Sequence, residues 1–276
     1  MKKRLIFSKK ILFVFLSISG LFFYEQFKLA SAFANSSQVI NSLRESDSHR
    51  MTTCGGFNSA HTTKKVVALT FDDGPSKKYT EQVTKVLELN GIRGTFFFIG
   101  RNVGEYPQIA REAYKKGHII GNHTYSHYHL NRLTGESIEY ELTKSAEEIK
   151  KAIGVYPLLF RPPYGACSAG SVRVARNLGY KTIMWNAMVD DYHVDRTTPE
   201  KIASKLLNLV RPGGIIGMHD GGGNREKTVA ALQMLISILK NEGYEFVTIP
   251  ELLGVQAYLA EPVPEPIQET KIPCVK

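Results

Sequence analysis

The chain has 276 residues, of which 43% are hydrophobic and 22% are charged, and its formal net charge at pH 7 is +9. These values are ordinary for a globular protein with one large domain or two small ones. Residues 1–34 carry six basic side chains and one acidic side chain, so they account for +5 of the charge. The excess of +4 on the remaining residues does not indicate a nucleic-acid-binding protein, although it would help docking on an anionic surface such as a cell wall.

The N-terminal segment predicts export. A basic stretch at residues 1–10 is followed by an apolar run at residues 11–24 and then by small residues around Ala32 and Ala34. This order is typical of a signal peptide within residues 1–34, cleaved after Ala32 or Ala34. The apolar run is short for a membrane span, but residues 5–7 lengthen it, so an uncleaved membrane anchor over residues 5–24 is the alternative. Both interpretations place the rest of the chain in an extracellular, periplasmic or cell-envelope location.

The segments that flank the patterned part of the chain are polar or rich in proline. Residues 35–63 lack a clear period and predict a linker, while residues 256–276 are rich in Pro and Glu and predict an extended strap or a loose tail. The chain has three cysteines. Because Cys54 and Cys274 lie just outside the two ends of the patterned region and export permits a disulfide, the hypothesis is that these two pair and that Cys167 is the remaining thiol.

From residue 64 onward, short apolar runs alternate with helical patterns. The strand-like runs are residues 65–71, 94–100, 118–123, 157–163, 181–186, 214–219 and 244–249. Helical patterns lie between most of them, and within residues 137–154 Ile138, Leu142 and Ile149 recur on one helical face. A strand followed by a helix about seven times predicts a single α/β domain over residues 64–255, with a parallel sheet that is closed or nearly closed as a barrel. An open doubly wound sheet is the alternative.

Polar side chains stand at the ends of five of these runs. They are Asp72 and Asp73, His123 and His127, Arg161 and Tyr164, Asp190 and Asp191, and His219 and Asp220. Each of these signals is weak alone. Because the carboxyl ends of parallel strands in a barrel converge on one face, the five together predict an active site there.

A metal site is the first expectation for that face. His123 and His127 are spaced so that both imidazoles can point the same way, and imidazole nitrogens are favoured zinc ligands. One carboxylate of the neighbouring Asp72–Asp73 pair would complete a set of three ligands with an open position, as in catalytic zinc sites. The cation would also explain why two adjacent acids are tolerated.

The remaining polar groups suggest acid–base catalysis. If one aspartate binds the metal, the other is available as a general base that Arg161 would orient, and His219 could act as the general acid. Without the other motifs, His219 would be read as a buried core histidine, and Arg161 could equally form a structural ion pair at the barrel rim.

The motifs TFDDG, HTYSH, RPPYG, W…DDY and MHDGGG occur in this order and resemble those of the polysaccharide deacetylases of carbohydrate esterase family four, the NodB-homology domain, over about residues 64–255. The resemblance implies a distorted (β/α)7 TIM-like barrel that removes acetyl groups from N-acetylated sugars with the help of a divalent metal. It further implies Asp72 as the base, Asp73, His123 and His127 as the metal ligands, Arg161 as the residue that orients the base, the backbone N–H of Tyr164 as the oxyanion donor, and His219 as the acid, supported by Asp191.

Two positions depart from the family pattern. The fourth motif usually reads D-x-x-D-W, but here Met188 replaces the first acid and Tyr192 replaces the tryptophan. In the fifth motif a leucine commonly lines the acetyl pocket, and here that position is Gly217. We expect a roomier pocket, or one filled by Met218 or Tyr192, so acyl preference does not follow from the resemblance.

The leading hypothesis is an exported, metal-dependent N-deacetylase of N-acetylglucosamine polymers, with peptidoglycan ahead of chitin or chito-oligosaccharide. Zn²⁺ is the expected ion, and Co²⁺ or another divalent ion is the alternative. The alternatives for function are an O-acetyl esterase acting on xylan and a catalytically weak glycan-binding protein of the same fold. The expected partner is an acetylated polysaccharide rather than nucleic acid, and a monomer is favoured.

Overall fold

The computed structural model describes residues 50–51, 54–191 and 197–259. Within these ranges the strands are β1 (Arg50–Met51), β2 (Phe57–Ser59), β3 (Val66–Asp72), β4 (Thr95–Phe98), β5 (Ile119–Asn122), β6 (Leu159–Phe160), β7 (Lys181–Thr182), β8 (Ala187–Met188), β9 (Gly214–His219) and β10 (Glu245–Phe246). The helices are α1 (Tyr79–Leu89), α2 (Gly100–Glu105), α3 (Pro107–Lys115), α4 (Gly135–Ile153), α5 (Ala169–Asn177), α6 (Pro199–Leu207), α7 (Glu226–Asn241) and α8 (Ile249–Leu253). Short 3₁₀ turns occupy Leu130–Arg132 and Pro163–Gly165.

Seven parallel strands form a nearly closed barrel. Strands β3 to β7 pair in chain order, β9 pairs with the other edge of β3, and β8 pairs with β9. The helices that follow the strands cover the outside of the barrel, as right-handed crossover connections require. The predicted (β/α)7 barrel is therefore confirmed, and the open doubly wound sheet is not observed.

Most apolar residues of the predicted strands and helices are buried, as the sequence patterns predict. All seven residues of β3 are buried, as expected for a parallel strand covered on both faces. Helix α4 begins at Thr134, whose side chain accepts a hydrogen bond from the Ser137 N–H, and it ends at Gly154 in the left-handed conformation. Its apolar face is buried, so it holds the loop after β5 against the barrel.

The strand register brings the carboxyl ends together. Asp72, the last residue of β3, lies opposite His219 of β9 on one side and opposite Phe97 of β4 on the other. Asn122, at the end of β5, lies opposite Phe160 of β6. The polar residues that follow these strands therefore share one face of the barrel.

Part of the segment predicted as a linker belongs to the sheet. Strand β2 pairs antiparallel with β9 through Ser59 and Gly214, and Phe57 forms a parallel bridge with Ile183 just after β7. This short strand fills the space between β7 and β9. Three residues are too few to show a strand period, which is why the sequence pattern did not reveal it.

The predicted disulfide between Cys54 and Cys274 is wrong, because Cys54 pairs with Cys167. Cys54 lies three residues before β2, beside the loop that follows β6 and contains Cys167. The Cα atoms of the two cysteines are 5.8 Å apart. This separation is within the normal range for a disulfide. Cys274 lies outside the described residues.

The first residues of the predicted tail also belong to the fold. The Leu158 N–H donates a hydrogen bond to the Ala257 carbonyl, and the Leu259 N–H donates one to the Tyr156 carbonyl. The Tyr258 hydroxyl accepts a hydrogen bond from the Ile120 N–H. The rest of the tail, and the predicted signal peptide or anchor, lie outside the described residues. Across the part of the chain that the structure describes, no helix is long and apolar enough to cross a membrane.

Candidate active site

A carboxylate and two imidazoles face one another at the carboxyl end of the barrel. Asp73 Oδ1 lies 3.1 Å from His127 Nε2 and 3.5 Å from His123 Nε2. One ligand atom from each of the three residues falls within 4.8 Å of the other two. Among the described residues this is the group of acidic, histidine or cysteine side chains that could hold a metal ion.

The hydrogen bonds around this group fit a cation. His123 Nδ1 lies 2.7 Å from the Arg161 carbonyl oxygen, which can only accept, so Nδ1 carries the proton and Nε2 presents a lone pair. Asp73 Oδ1 is buried and receives no hydrogen bond within the described structure. A buried carboxylate oxygen that faces two imidazole nitrogens is satisfied by a divalent ion, so the three residues fit one.

The ligands are set on strained turns that other residues support. Asp73 and His127 both adopt the left-handed backbone conformation, with φ of 72° and 63°, which non-glycine residues rarely do. The Glu141 carboxylate accepts hydrogen bonds from the N–H groups of Tyr125 and Ser126, at 3.0 and 2.8 Å, and so fixes the loop between the two histidines. Gly221 packs against the other ligand, since a Cβ there would lie 2.1 Å from the Asp73 carbonyl oxygen.

The other carboxylate of the pair has a different partner. Arg161 Nη1 donates to Asp72 Oδ1 at 2.8 Å, and both side chains are almost completely excluded from solvent. The same Nη1 also donates to Thr70 Oγ1, and Nε and Nη2 donate to the carbonyls of Ile183 and Met184. The guanidinium therefore fixes the orientation of Asp72 and supplies the positive charge that a buried carboxylate needs.

A buried histidine faces the same cavity from β9. His219 Nδ1 lies 2.6 Å from Asp191 Oδ1, and Thr228 Oγ1 donates to Asp191 Oδ2 at 3.0 Å. Burial by itself would lower the pKa of His219, but the hydrogen bond and negative charge of Asp191, with smaller contributions from the other acids nearby, raise it above its ordinary value. An imidazole whose pKa is raised in this way suits a proton donor.

Arg225 is a buried residue of this site that the sequence did not reveal. Its Nε donates to the Gly221 carbonyl at 2.6 Å, and its Nη1 and Nη2 donate to the carbonyls of Asp191 and Gly222, each at 3.1 Å. The guanidinium thus joins the glycine turn after β9 to the residue that supports His219. A single arginine beside glycines has no sequence signature of this role.

Tyr164 and His129 form a ring stack beside the metal ligands. The backbone of Tyr164 is left-handed, with φ of 60°. The centroid of its ring lies 4.6 Å from that of the His127 ring and 3.7 Å from that of the His129 ring, and the Tyr164 and His129 rings are nearly parallel. His129, for which the sequence suggested no role, therefore packs on the residue proposed to supply the oxyanion donor. His118 packs against Phe96 instead, and burial lowers its pKa to about 4, so it is a neutral core histidine.

These residues enclose a cavity of about 460 Å³. It is lined by Asp72, Asp73, His123, His127, Pro162, Tyr164, Trp185, Met188 and His219. Arg161 and Asp191 lie behind Asp72 and His219. Asp190 is exposed and does not line the cavity.

The expectation that Met218 lines the cavity is wrong. Met218 packs in the hydrophobic core. Side chains alternate along β9, so His219 and Gly217 face the barrel interior and Met218 faces the other way. Tyr192, the other residue expected there, lies outside the described residues.

An α/β barrel with three metal-type ligands and an open cavity at the carboxyl ends of its strands has the layout of a metal-dependent hydrolase.

Comparison with known sequences identifies the family of this chain. The profile described as polysaccharide deacetylase matches residues 59–183. A peptidoglycan-N-acetylglucosamine deacetylase of Bacillus cereus is 37% identical over 190 residues, which cover 69% of this chain and 89% of that protein.

A chitooligosaccharide deacetylase of Azorhizobium caulinodans is 33% identical over 67% of this chain and 92% of its own length. The crystal structure of the peptidoglycan N-acetylglucosamine deacetylase Bc1960 superposes with a TM-score of 0.70 at 31% identity and covers 72% of this chain and 93% of that one. The chain belongs to the polysaccharide deacetylase family, carbohydrate esterase family four, and is a hydrolase.

Proposed function

We propose that this protein removes N-acetyl groups from N-acetylglucosamine units of peptidoglycan. The observation that carries the proposal is that two buried charged pairs, Asp72 with Arg161 and His219 with Asp191, present Asp72 and His219 to one cavity from neighbouring strands. A base and an acid that each have their own charged partner suit hydrolysis of an amide bound in that cavity. The Bacillus cereus relative is a peptidoglycan-N-acetylglucosamine deacetylase and the Azorhizobium relative is a chitooligosaccharide deacetylase, which supports an N-acetylglucosamine substrate; the first of them favours peptidoglycan.

Each residue then has one task in the reaction. Asp72 removes a proton from water, whose oxygen attacks the acetyl carbonyl carbon. The Tyr164 N–H donates a hydrogen bond to the developing oxyanion. As the carbon–nitrogen bond breaks, His219 gives its proton to the sugar nitrogen, so the products are acetate and a free amine.

The metal would be held by Asp73, His123 and His127. When bound, the ion supplies Lewis-acid polarisation of the carbonyl and lowers the pKa of the attacking water. Two imidazoles and one carboxylate are a ligand set that suits zinc, so we propose Zn²⁺, with Co²⁺ as the substitute to compare. We further propose that the chain acts outside the cytoplasm, because the Cys54–Cys167 disulfide needs an oxidising compartment.

The decisive experiment measures acetate release by the purified full-length chain with added Zn²⁺ or Co²⁺. The substrates are peptidoglycan, chito-oligosaccharide and acetylated xylan. We expect release from peptidoglycan to be the fastest. Release from xylan alone would replace the proposal with an O-acetyl esterase, and glycan binding without any acetate release would replace it with a binding protein.

Two isosteric variants separate the roles of the adjacent acids. Asp72→Asn should bind Zn²⁺ as the wild type does but lose about 10²–10⁴-fold in kcat, because it removes the base. Asp73→Asn should lose Zn²⁺ affinity, measured by calorimetry. Asp190→Asn changes an exposed acid and is the control. Equal metal affinity in both variants would contradict the assignment.

A further inference from the structure

Two unusual residues of the active-site face occupy one space. Met188 of β8 lies opposite Gly217 of β9. A Cβ on Gly217 would lie 2.3 Å from Met188 Cε and 3.6 Å from its Cβ and Cγ. The methionine side chain therefore lies where a side chain at position 217 would begin.

Met188 also lines the catalytic cavity, whereas Gly217 does not. Gly217 is two residues before His219 on the same strand, and two strand residues span about 6.6 Å. Met188 and the proposed proton donor His219 therefore face the same cavity from adjacent strands. With Pro162 and Trp185 it forms the apolar part of the cavity wall.

We propose that Met188 is the specificity-determining residue for the acyl group, because its side chain forms the wall against which the acyl methyl packs. This inference rests on the proposed hydrolysis of N-acyl sugars. The two departures from the family pattern, Met188 and Gly217, are then two parts of one change. The side chain that forms the wall comes from Met188 on β8 instead of from position 217 on β9. An unbranched thioether with three rotatable bonds yields more easily than a leucine.

The consequence is a broader acyl range. The wild type should hydrolyse N-propionyl as well as N-acetyl glucosamine units, and the released acid is then propionic acid, formed with the same free amine. Fitting or losing one methylene in an apolar pocket changes kcat/KM by about 10–200-fold. The ratio of propionyl to acetyl kcat/KM is therefore the quantity that reports on this wall.

Four chains test the inference with N-acetyl and N-propionyl chito-oligosaccharides. Met188→Ala should raise the propionyl-to-acetyl ratio about tenfold or more, because it removes the wall. Gly217→Leu should lower kcat/KM for both substrates, because the leucine and Met188 compete for one space. The double variant should return the ratio to within about threefold of the wild type. Met234→Ala removes a methionine from the outer helix α7 and should leave the ratio unchanged.

The same variants give a readout that does not need turnover. Gly217→Leu should lower the melting temperature, and Met188→Ala should restore part of the loss, because the larger side chain then has room. Gly217→Ala is the milder variant if the leucine prevents folding, since Met188 Cε is the free end of a flexible side chain.

The results separate this inference from the proposed function. An unchanged ratio in Met188→Ala, or effects of the two substitutions that simply multiply in the double variant, would overturn the role of Met188. A wild type that releases neither acid would overturn the proposed hydrolysis and the acyl specificity with it. The melting temperatures would still show whether the two positions share one space.

Discussion

Replacing Arg161 with methionine should destabilise the protein more than most single substitutions do. The guanidinium is fully buried and its hydrogen bonds include those to Asp72, Thr70 and the carbonyls of Ile183 and Met184. Methionine has a similar length but no donor. The variant would therefore leave a carboxylate and two carbonyls buried without these donors.

The size of the effect follows from these contacts. Removing one partner of a buried ion pair costs about 3–5 kcal/mol, because the other charge stays buried without compensation. Taking about 4 kcal/mol, and a shift of about 2–4 °C per kcal/mol for a domain of this size, the melting temperature should fall by about 8–16 °C. Scanning calorimetry of the oxidised protein measures this directly.

A double variant identifies the cause. Combining Arg161→Met with Asp72→Asn removes the uncompensated charge, so the double variant should be more stable than Arg161→Met alone by about 2 kcal/mol or more. Arg101→Met changes an exposed arginine and should move stability by no more than about 0.5 kcal/mol. If the double variant is no more stable than Arg161→Met, the reasoning about the buried pair is refuted.

Two further predictions concern the proton donor and the disulfide. Asp191→Asn removes the charge that raises the pKa of His219, so the acid form of His219 should be lost at lower pH and the basic limb of the kcat–pH profile should move to lower pH. A limb that stays in place would show that another group donates the proton. Replacing Cys54 and Cys167 with serine opens a loop closed over a sequence separation of 113 and should cost about 2–5 kcal/mol, measured by urea denaturation. Dithiothreitol should lower the free energy of unfolding of the wild type by the same amount and leave that of the variant unchanged. A wild type whose stability does not respond to the reductant would contradict the prediction.

The barrel and the central residues of the site could be predicted because their signals are local. Short apolar runs followed by polar residues showed where each strand ends, and the barrel geometry then required those ends to converge. Asp72, Asp73 and His123 each lie within one residue of a strand end, and His127 follows His123 by four residues. A single rule of topology was therefore enough to place them together.

The features that were missed depend on contacts between distant segments. The pairing of Cys54 follows from the position of β2, which is too short to show a period. The role of Arg225 follows from bonds to backbone carbonyls, which no side-chain pattern records. Met218 could have been placed correctly from the sequence, because strict alternation from His219 already directs it away from the cavity.

The segments on either side of the barrel also determine how far the chain can be truncated without losing part of the fold. A fragment of residues 64–255 would contain every motif, yet it would lack Cys54, the strand Phe57–Ser59 and the tyrosine hydroxyl of Tyr258 that pairs with the Ile120 N–H. Such a fragment would leave part of the edge of β9, and the backbone of residues 156–158 just before β6, without their partners, and exposed strand edges promote self-association. Because β1 pairs with β2, residues 50–259 are the minimal unit for recombinant expression or fusion to another module, and linkers belong outside both ends.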